Sequence, residues 1–437
     1  MKLSSLSVLC CSMLISLPSY AQTLEQAVSF TLATNPEIKS AFNDYMSSQY
    51  TIDASSGAYK PRIDLDAGVG LESINPAEST SRKSTDMTRK DASLTLSQLI
   101  WDGSKTLNDI DRTSADAESV RYQLLADAQN TSLEVTQVYL EILKAKEVLA
   151  LSESNLTTHK KIYKDIKKRT ESGIGSVADL TQVEARLAKA NSNVLAAQNN
   201  LLDAQTMFIR LVGQYPESLV FPHADQNFVP TTLKSAIEQA HISHPVIKIA
   251  QADVDSARFQ YQQSTGNNYP TVSFEAAQTW RDDAGGIEGS SNELSAMIRL
   301  KYNLYNGGSD SANSSKSAYQ INKAKDLREN AFRNVDEGLK LAWSALELTS
   351  QQKTFLSQHV DAASDTVIAY EKQYRIGKRT LLDLLNTENE LFESRKGYVE
   401  ARYAEQYAKY RILTSTGNLL DALRVDIPAE WNQAVEY

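Results

Sequence analysis

A chain of 437 residues with net charge −9 at neutral pH has room for two or three ordinary domains. Its acidity excludes the usual nucleic-acid binder, which must neutralise phosphates. Its low mean hydropathy excludes a bundle of membrane helices but not a β-barrel, in which only alternate residues face lipid.

The first element is a targeting segment. Lys2, the apolar run from Leu3 to Leu17, and Pro18-Ser19-Tyr20-Ala21 read as a cleavable secretory signal over residues 1–21. Both cysteines, Cys10 and Cys11, fall inside it, so the mature chain is expected to carry no disulfide and no thiolate. Leu9 is too bulky to precede a lipoprotein cleavage site at Cys10, so no lipid anchor is expected.

The rest of the chain is written twice. TLEQAVSFTLATNPEIKSA (23–41) aligns with TLKSAIEQAHISHPVIKIA (232–250), pairing Leu24 with Leu233, Pro36 with Pro245 and Ile38 with Ile247. From Trp101, which aligns with Tyr305, the spacing shortens by five residues and then holds, pairing Gly173 with Gly377, Asp179 with Asp383 and Gly213 with Gly417. A length change of that kind belongs in an exposed loop between two strands. The expected layout is a first repeat over 22–213, a linker over 214–231, a second repeat over 232–417 and a tail over 418–437.

Each repeat opens with two short helices separated at Pro36 or Pro245. Thr23 and Thr232 can cap the first of them, with Gln26 completing a capping box in the first repeat alone. Alternating stretches follow. Ile63, Leu65, Ala67, Val69 and Leu71 share one face and Asp64, Asp66 and Glu72 the other, which predicts strands at about 61–73 and 92–101, and by repetition at about 270–280 and 294–304. A polar segment, Ser73 to Asp91, separates the first two. Two readings fit the alternation: half-buried strands of a soluble sheet, and strands of the length that crosses a bilayer when tilted. Duplication, polar loops at one end and aromatics at the other (Tyr59, Trp101, Tyr269, Tyr305) favour the membrane barrel. Simple parity places Trp101 and Tyr305 on the polar face, so a bend is expected there.

Long proline-free helices come next, over 104–212 and 309–416. Leu107, Ile110, Ala117, Leu124, Ala128, Val135 and Ile142 keep a 3-4 spacing, as do Val183, Leu187, Ala190, Val194, Ala197 and Leu201, which predicts coiled-coil packing. Four strands per chain cannot close a barrel, for which about eight is the minimum, so an oligomer is expected.

These residues resemble the TolC family of outer-membrane efflux and type I secretion channels. The resemblance rests on LEQAV…NPEIKSA and its second copy, the strand ends SQLIWDGSK and NLYNGGS, and the paired Gly-x-x-x-x-x-Asp tips. It implies an α+β homotrimer with four strands per chain in a shared twelve-stranded barrel and a coiled-coil helical barrel crossing the periplasm. The implied function is a passive exit duct, for type I protein secretion or for small-molecule and multidrug efflux. The implied partners are a periplasmic adaptor, an inner-membrane ABC or proton-driven transporter and outer-membrane lipid. No cofactor, metal, nucleic acid or enzymatic activity is implied.

The resemblance also implies roles at the tips. Asp383 matches a constriction ring of aspartates, and Asn386 stands where relatives place a second aspartate. Arg379 and Tyr374 match a gate latch closed through Asp179 on the neighbouring hairpin. Gly173, Gly175 and Gly377 turn the hairpins where an adaptor docks. Without the resemblance, the glycines are plain turn residues and the aspartates complement helix dipoles. His241-x-x-His244 lacks a third metal ligand, and a turn role beside Pro245 is expected of His244. The rival from another class is a periplasmic adaptor or structural coiled-coil protein, which needs no paired, lipid-length strands.

Overall fold

The computed structural model describes residues 22–75 and 85–431. The expected signal segment and the end of the tail lie outside them. Each repeat has the same elements. The first comprises α1 (Leu24–Thr34), α2 (Pro36–Ser56), β1 (Arg62–Ile74), β2 (Thr85–Trp101), α3 (Lys105–Glu171) and α4 (Val177–Val212). The second comprises α5 (Leu233–Ser243), α6 (Pro245–Gly266), β3 (Thr271–Ala284), β4 (Ile287–Lys301), α7 (Ser309–Arg375) and α8 (Leu381–Ser415), followed by the short α9 (Leu419–Ala422).

Local chemistry sets the helix starts. Thr23 and Gln26 form the reciprocal capping box of α1, whereas Thr232 caps α5 through its hydroxyl alone. Pro36 and Pro245 occupy the first turns of α2 and α6, where a missing N–H is harmless. Asn35 and His244 cap them, accepting from Glu37 N–H at 2.8 Å and Val246 N–H at 3.2 Å. Asn35 also donates to the Leu211 carbonyl at 3.0 Å, so α2 begins where α4 ends. In the second repeat Gly417 closes against Ser243 and His244, and a Cβ there would lie 2.9 Å from the Ser243 carbonyl oxygen.

The two long helices, α3 and α7, each contain 67 residues and reach on the order of 100 Å at about 1.5 Å per residue. The expected seam is buried: Leu124, Ala128, Val135 and Ile142 on α3 share the main core with Ala204, Phe208 and Leu211 on α4, and Ala117 is buried further along α3. Leu107 departs from it and stays exposed beside the strands. Tyr403 and Tyr410 of α8 are core residues.

The strands form one antiparallel sheet in the order β1-β2-β3-β4. β2 starts at Thr85, inside the stretch read as a polar segment, and β3 runs on to Ala284, so both hairpins extend beyond the alternating cores. β4 ends at Lys301, which leaves Tyr305 outside any strand. One face holds Leu65, Val69, Leu71, Leu294 and Ile298, all more than two-thirds exposed in the single chain. The opposite face carries ion pairs, Arg89 with Glu72 and Asp91, Arg299 with Glu275, and Arg281 with Glu293.

The parity conflict at Trp101 is resolved by a β-bulge. Leu99 pairs with Ser273 and Trp101 with Val272, which leaves Ile100 as the extra residue. The bulge returns Trp101 to the apolar face, where its ring meets Tyr269 edge-on at 6.0 Å. The turn into α3 is tight. Gly103 has φ +71°, and a Cβ there would lie 2.6 Å from the Tyr269 Cβ. Ser104 next to it holds φ +63°, where the second repeat has Gly308.

Gly103→Ala is expected to destabilise the protein by about 2 kcal/mol or more. Its thermal midpoint in detergent should fall, whereas that of Ser104→Gly should hold or rise. Burial pushes the His244 imidazole down to about 4 from 6.5. The unfolded chain therefore binds more protons across that window. Stability present above pH 6.5 should decline as pH falls towards 4, by on the order of 3 kcal/mol. Denaturant titrations should show His244→Asn, which copies the Asn35-Pro36 turn of the first repeat, losing less over the same window.

Candidate functional site at the helical tips

At the end of α3 the peptide N–H groups of Ile174 and Gly175 both donate to the Arg169 carbonyl, at 3.0 and 2.9 Å. Gly173 takes φ +77°, and a Cβ on Gly175 would lie 2.8 Å from the Thr170 nitrogen. Both glycines are therefore required by the turn. The Ser176 hydroxyl then accepts from Ala178 N–H at 3.1 Å and starts α4. In the second hairpin Gly377 holds φ +72°, and Lys378 N–H donates to the Gln373 carbonyl at 2.9 Å.

Asp383 completes a capping box at the start of α8. Its N–H donates to the Thr380 hydroxyl oxygen at 3.2 Å, and its carboxylate accepts from Thr380 N–H at 3.1 Å and from the Thr380 hydroxyl at 2.9 Å. The Thr380 hydroxyl first, then the Thr380 N–H and the charge of Arg379, hold the Asp383 carboxyl below the usual carboxylate range. The group is ionised at neutral pH.

The two tips of one chain pack together. Ile166 and Val183 of the first hairpin close a small core with Leu381 and Leu385 of the second, flanked by Tyr163, Leu180 and Tyr374. Two polar contacts cross the same boundary. Arg169 Nη1 donates to the Tyr374 hydroxyl at 3.3 Å, and Arg186 Nη2 donates to Asn386 Oδ1 at 2.9 Å.

The residues of the expected latch are distributed otherwise within one chain. Tyr374 meets Arg169, while Arg379 lies 4.3 Å over the Tyr370 ring and donates to Gln373 at 3.1 Å. Asp179 stands in the first turn of α4 and makes no hydrogen bond or ion pair among the described residues. Sequence reasoning missed Arg169 and Arg186. The first sits in the basic run that ends α3, which complements a helix dipole, and the second is a single cation between the seam residues Val183 and Leu187.

A groove of about 550 Å³ runs beside the tips, with Ile162, Ile166 and Leu384 below and Lys161, Lys168 and Glu371 on its rims. Glu388 lines it too, and burial followed by the charge of Glu371 raises its carboxyl above the ordinary range. Elsewhere His241 Nε2 lies 2.8 Å from Asp336 Oδ1 while His244 caps α6, so the two imidazoles serve separate structural ends.

A duplicated sheet with an apolar outer face, carried on paired helices of this length, calls for comparison with known membrane proteins. The profile of the outer membrane efflux protein family matches residues 27–214 and 236–418, one stretch per repeat. The chain belongs to that family. It is similar to the outer membrane efflux protein BepC of Brucella suis, at 24% identity over 91% of this chain and 86% of that one. It is similar to the outer membrane protein TolC of Escherichia coli, at 23% identity over 92% of this chain and 83% of that one. A membrane protein of Pseudomonas aeruginosa shares the fold, with a TM-score of 0.81 at 16% identity over 90% of each chain. As an outer membrane efflux protein, the chain is a channel component and not an enzyme, and its helices extend into the periplasm of a Gram-negative cell.

Proposed function

We propose that three copies of this chain close a twelve-stranded barrel in the outer membrane and form the passive exit duct of a tripartite export system. The carrying observation is the sheet itself, whose strands of 13 to 17 residues exceed the roughly ten needed to cross a bilayer when tilted. The outer edges of β1 and β4 are unpaired in the single chain. Open edges are not tolerated in lipid, and four strands are too few to close.

The helices support the same assembly. Leu341, Leu348 and Phe355 stand exposed at seven-residue spacing on α7, and Leu195 and Leu202 do so on α4. Such stripes are coiled-coil seams lacking their partner, and a neighbouring copy of the chain supplies one.

At the periplasmic end, Asp383 forms a constriction ring, one carboxylate per chain, with Asn386 one turn further in. In the closed trimer Arg379 and Tyr374 reach Asp179 of an adjacent hairpin, and a charge-assisted Arg–Asp contact makes a reversible latch. The groove beside the tips, with apolar residues below and Lys161 and Lys168 on the rim, suits a helical adaptor hairpin that links the duct to an inner-membrane transporter. Gly173, Gly175 and Gly377 shape that docking surface. Type I secretion of polypeptides is the first reading of the cargo, on overall sequence resemblance. Small-molecule efflux is the second, favoured by the likeness to an efflux protein, BepC. A deletion strain assayed for both secreted protein and drug susceptibility separates the two.

Planar-bilayer recording of the purified protein tests the duct. Discrete channels are expected, and Asp383→Ala should reduce the cation-to-anion permeability ratio severalfold, because clustered carboxylates focus a negative potential. A folded protein that never forms channels would reject the duct. Arg379→Ser combined with Tyr374→Phe should raise resting conductance and antibiotic entry; unchanged values would remove the latch.

A further inference from the structure

We propose that Arg186 is a specificity-determining residue of the constriction, and that it turns a ring expected to be anionic into one of balanced charge. This rests on placing Asp383 at the constriction, as above.

Three observations carry it. Arg186 leaves α4 and donates to Asn386 Oδ1 on α8 at 2.9 Å. Asn386 stands three residues after Asp383, so the two share a face of α8 and lie about 5 Å apart along its axis. The guanidinium is thereby held on α8 one turn beyond Asp383. Arg186 also makes no ion pair with any carboxylate among the described residues, so its full charge acts on what lies nearby. The neighbouring titratable group on α3, His159, is buried. Burial first, and then the charge of Arg186, lowers its affinity for a proton. The lowered proton affinity favours the neutral imidazole, which adds no charge of its own.

The charges then balance. Each chain contributes the Asp383 carboxylate and, one turn further along α8, the Arg186 guanidinium, while Arg379, which acts on Asp383 in the single chain, is engaged by Asp179 of the adjacent hairpin in the closed trimer. Three chains give three Asp383 carboxylates and three Arg186 guanidiniums on successive turns of α8. Like charges confined to one ring attract counter-ions strongly, whereas opposite charges on neighbouring turns offset one another. Such a ring does not concentrate cations or bind multivalent cations tightly, and it opposes acidic cargo less than a purely aspartate ring does. Asn386 is the residue that makes this possible. Its amide oxygen accepts from the guanidinium without neutralising it, as a carboxylate there would.

Reversal potentials across a salt gradient test the assignment on the full-length trimer, with Arg186→Gln, Arg186→Lys and Asp383→Asn beside the unaltered protein. Arg186→Gln keeps a side-chain amide able to donate to Asn386. It should raise the cation-to-anion permeability ratio severalfold and sharpen block by a trivalent cation. Arg186→Lys should retain the unaltered values, because charge and not shape sets them. The proposal is overturned if Arg186→Gln leaves the reversal potential unmoved while Asp383→Asn shifts it, and then the constriction reading stands alone. It is overturned equally if Arg186→Lys moves the potential as far as Arg186→Gln, which is the mark of a structural role. If neither Arg186→Gln nor Asp383→Asn has an effect, both the proposal and the placement of Asp383 fail.

Discussion

Backbone hydrogen bonding in hydrocarbon is the constraint on which this structure depends. A sheet whose outer face is Leu65, Val69, Leu71, Leu294 and Ile298 belongs in lipid, and there each unpaired peptide group costs several kcal/mol. A single chain leaves β1 and β4 open. The sheet is therefore stable in its proper solvent only when its edges meet other copies, and assembly becomes a condition of folding. The polar face has the complementary arrangement. Its arginines and carboxylates pair across strands, as befits a wall that faces water.

Duplication supplies the second level of order, and its exceptions show where each repeat answers to its surroundings. Both repeats turn from strand to helix through consecutive residues of positive φ, but Ser104 fills one position where Gly308 fills the other. Both pass from the first to the second helix at a capped proline, but the cap is Asn35 in one and His244 in the other. These differences leave the backbone unchanged, because in each case the substitute offers the same local geometry. What changes is the response to conditions, since an imidazole titrates and an amide does not.

The tips combine helix-capping chemistry with placement of charge. Asp383 is first a capping residue, bonded twice to Thr380, and the same bonds keep it ionised and fixed. The hydrophobic contact of Ile166 and Val183 with Leu381 and Leu385, reinforced by Arg169–Tyr374 and Arg186–Asn386, holds the two hairpins of a chain to each other.

Read alone, the sequence already contained the duplication, the order of elements, the coiled-coil seams and the strand faces, because each of these is a periodicity or an aligned pair of residues. The capping box of α1 and the tip glycines were equally legible, since caps and positive φ are decided by neighbours in the chain. The bulge at Ile100 was not, as it is set by pairing with Ser273 and Val272 far along the chain, and a parity count from one strand cannot see it. Nor were the partners of Arg169 and Arg186, which lie on the other hairpin. Long cationic side chains find their acceptors through space, across some two hundred residues of sequence. Periodicity thus determined which surfaces are apolar and where helices begin and end. Only the packing of one repeat against the other decided which acceptor each tip arginine meets.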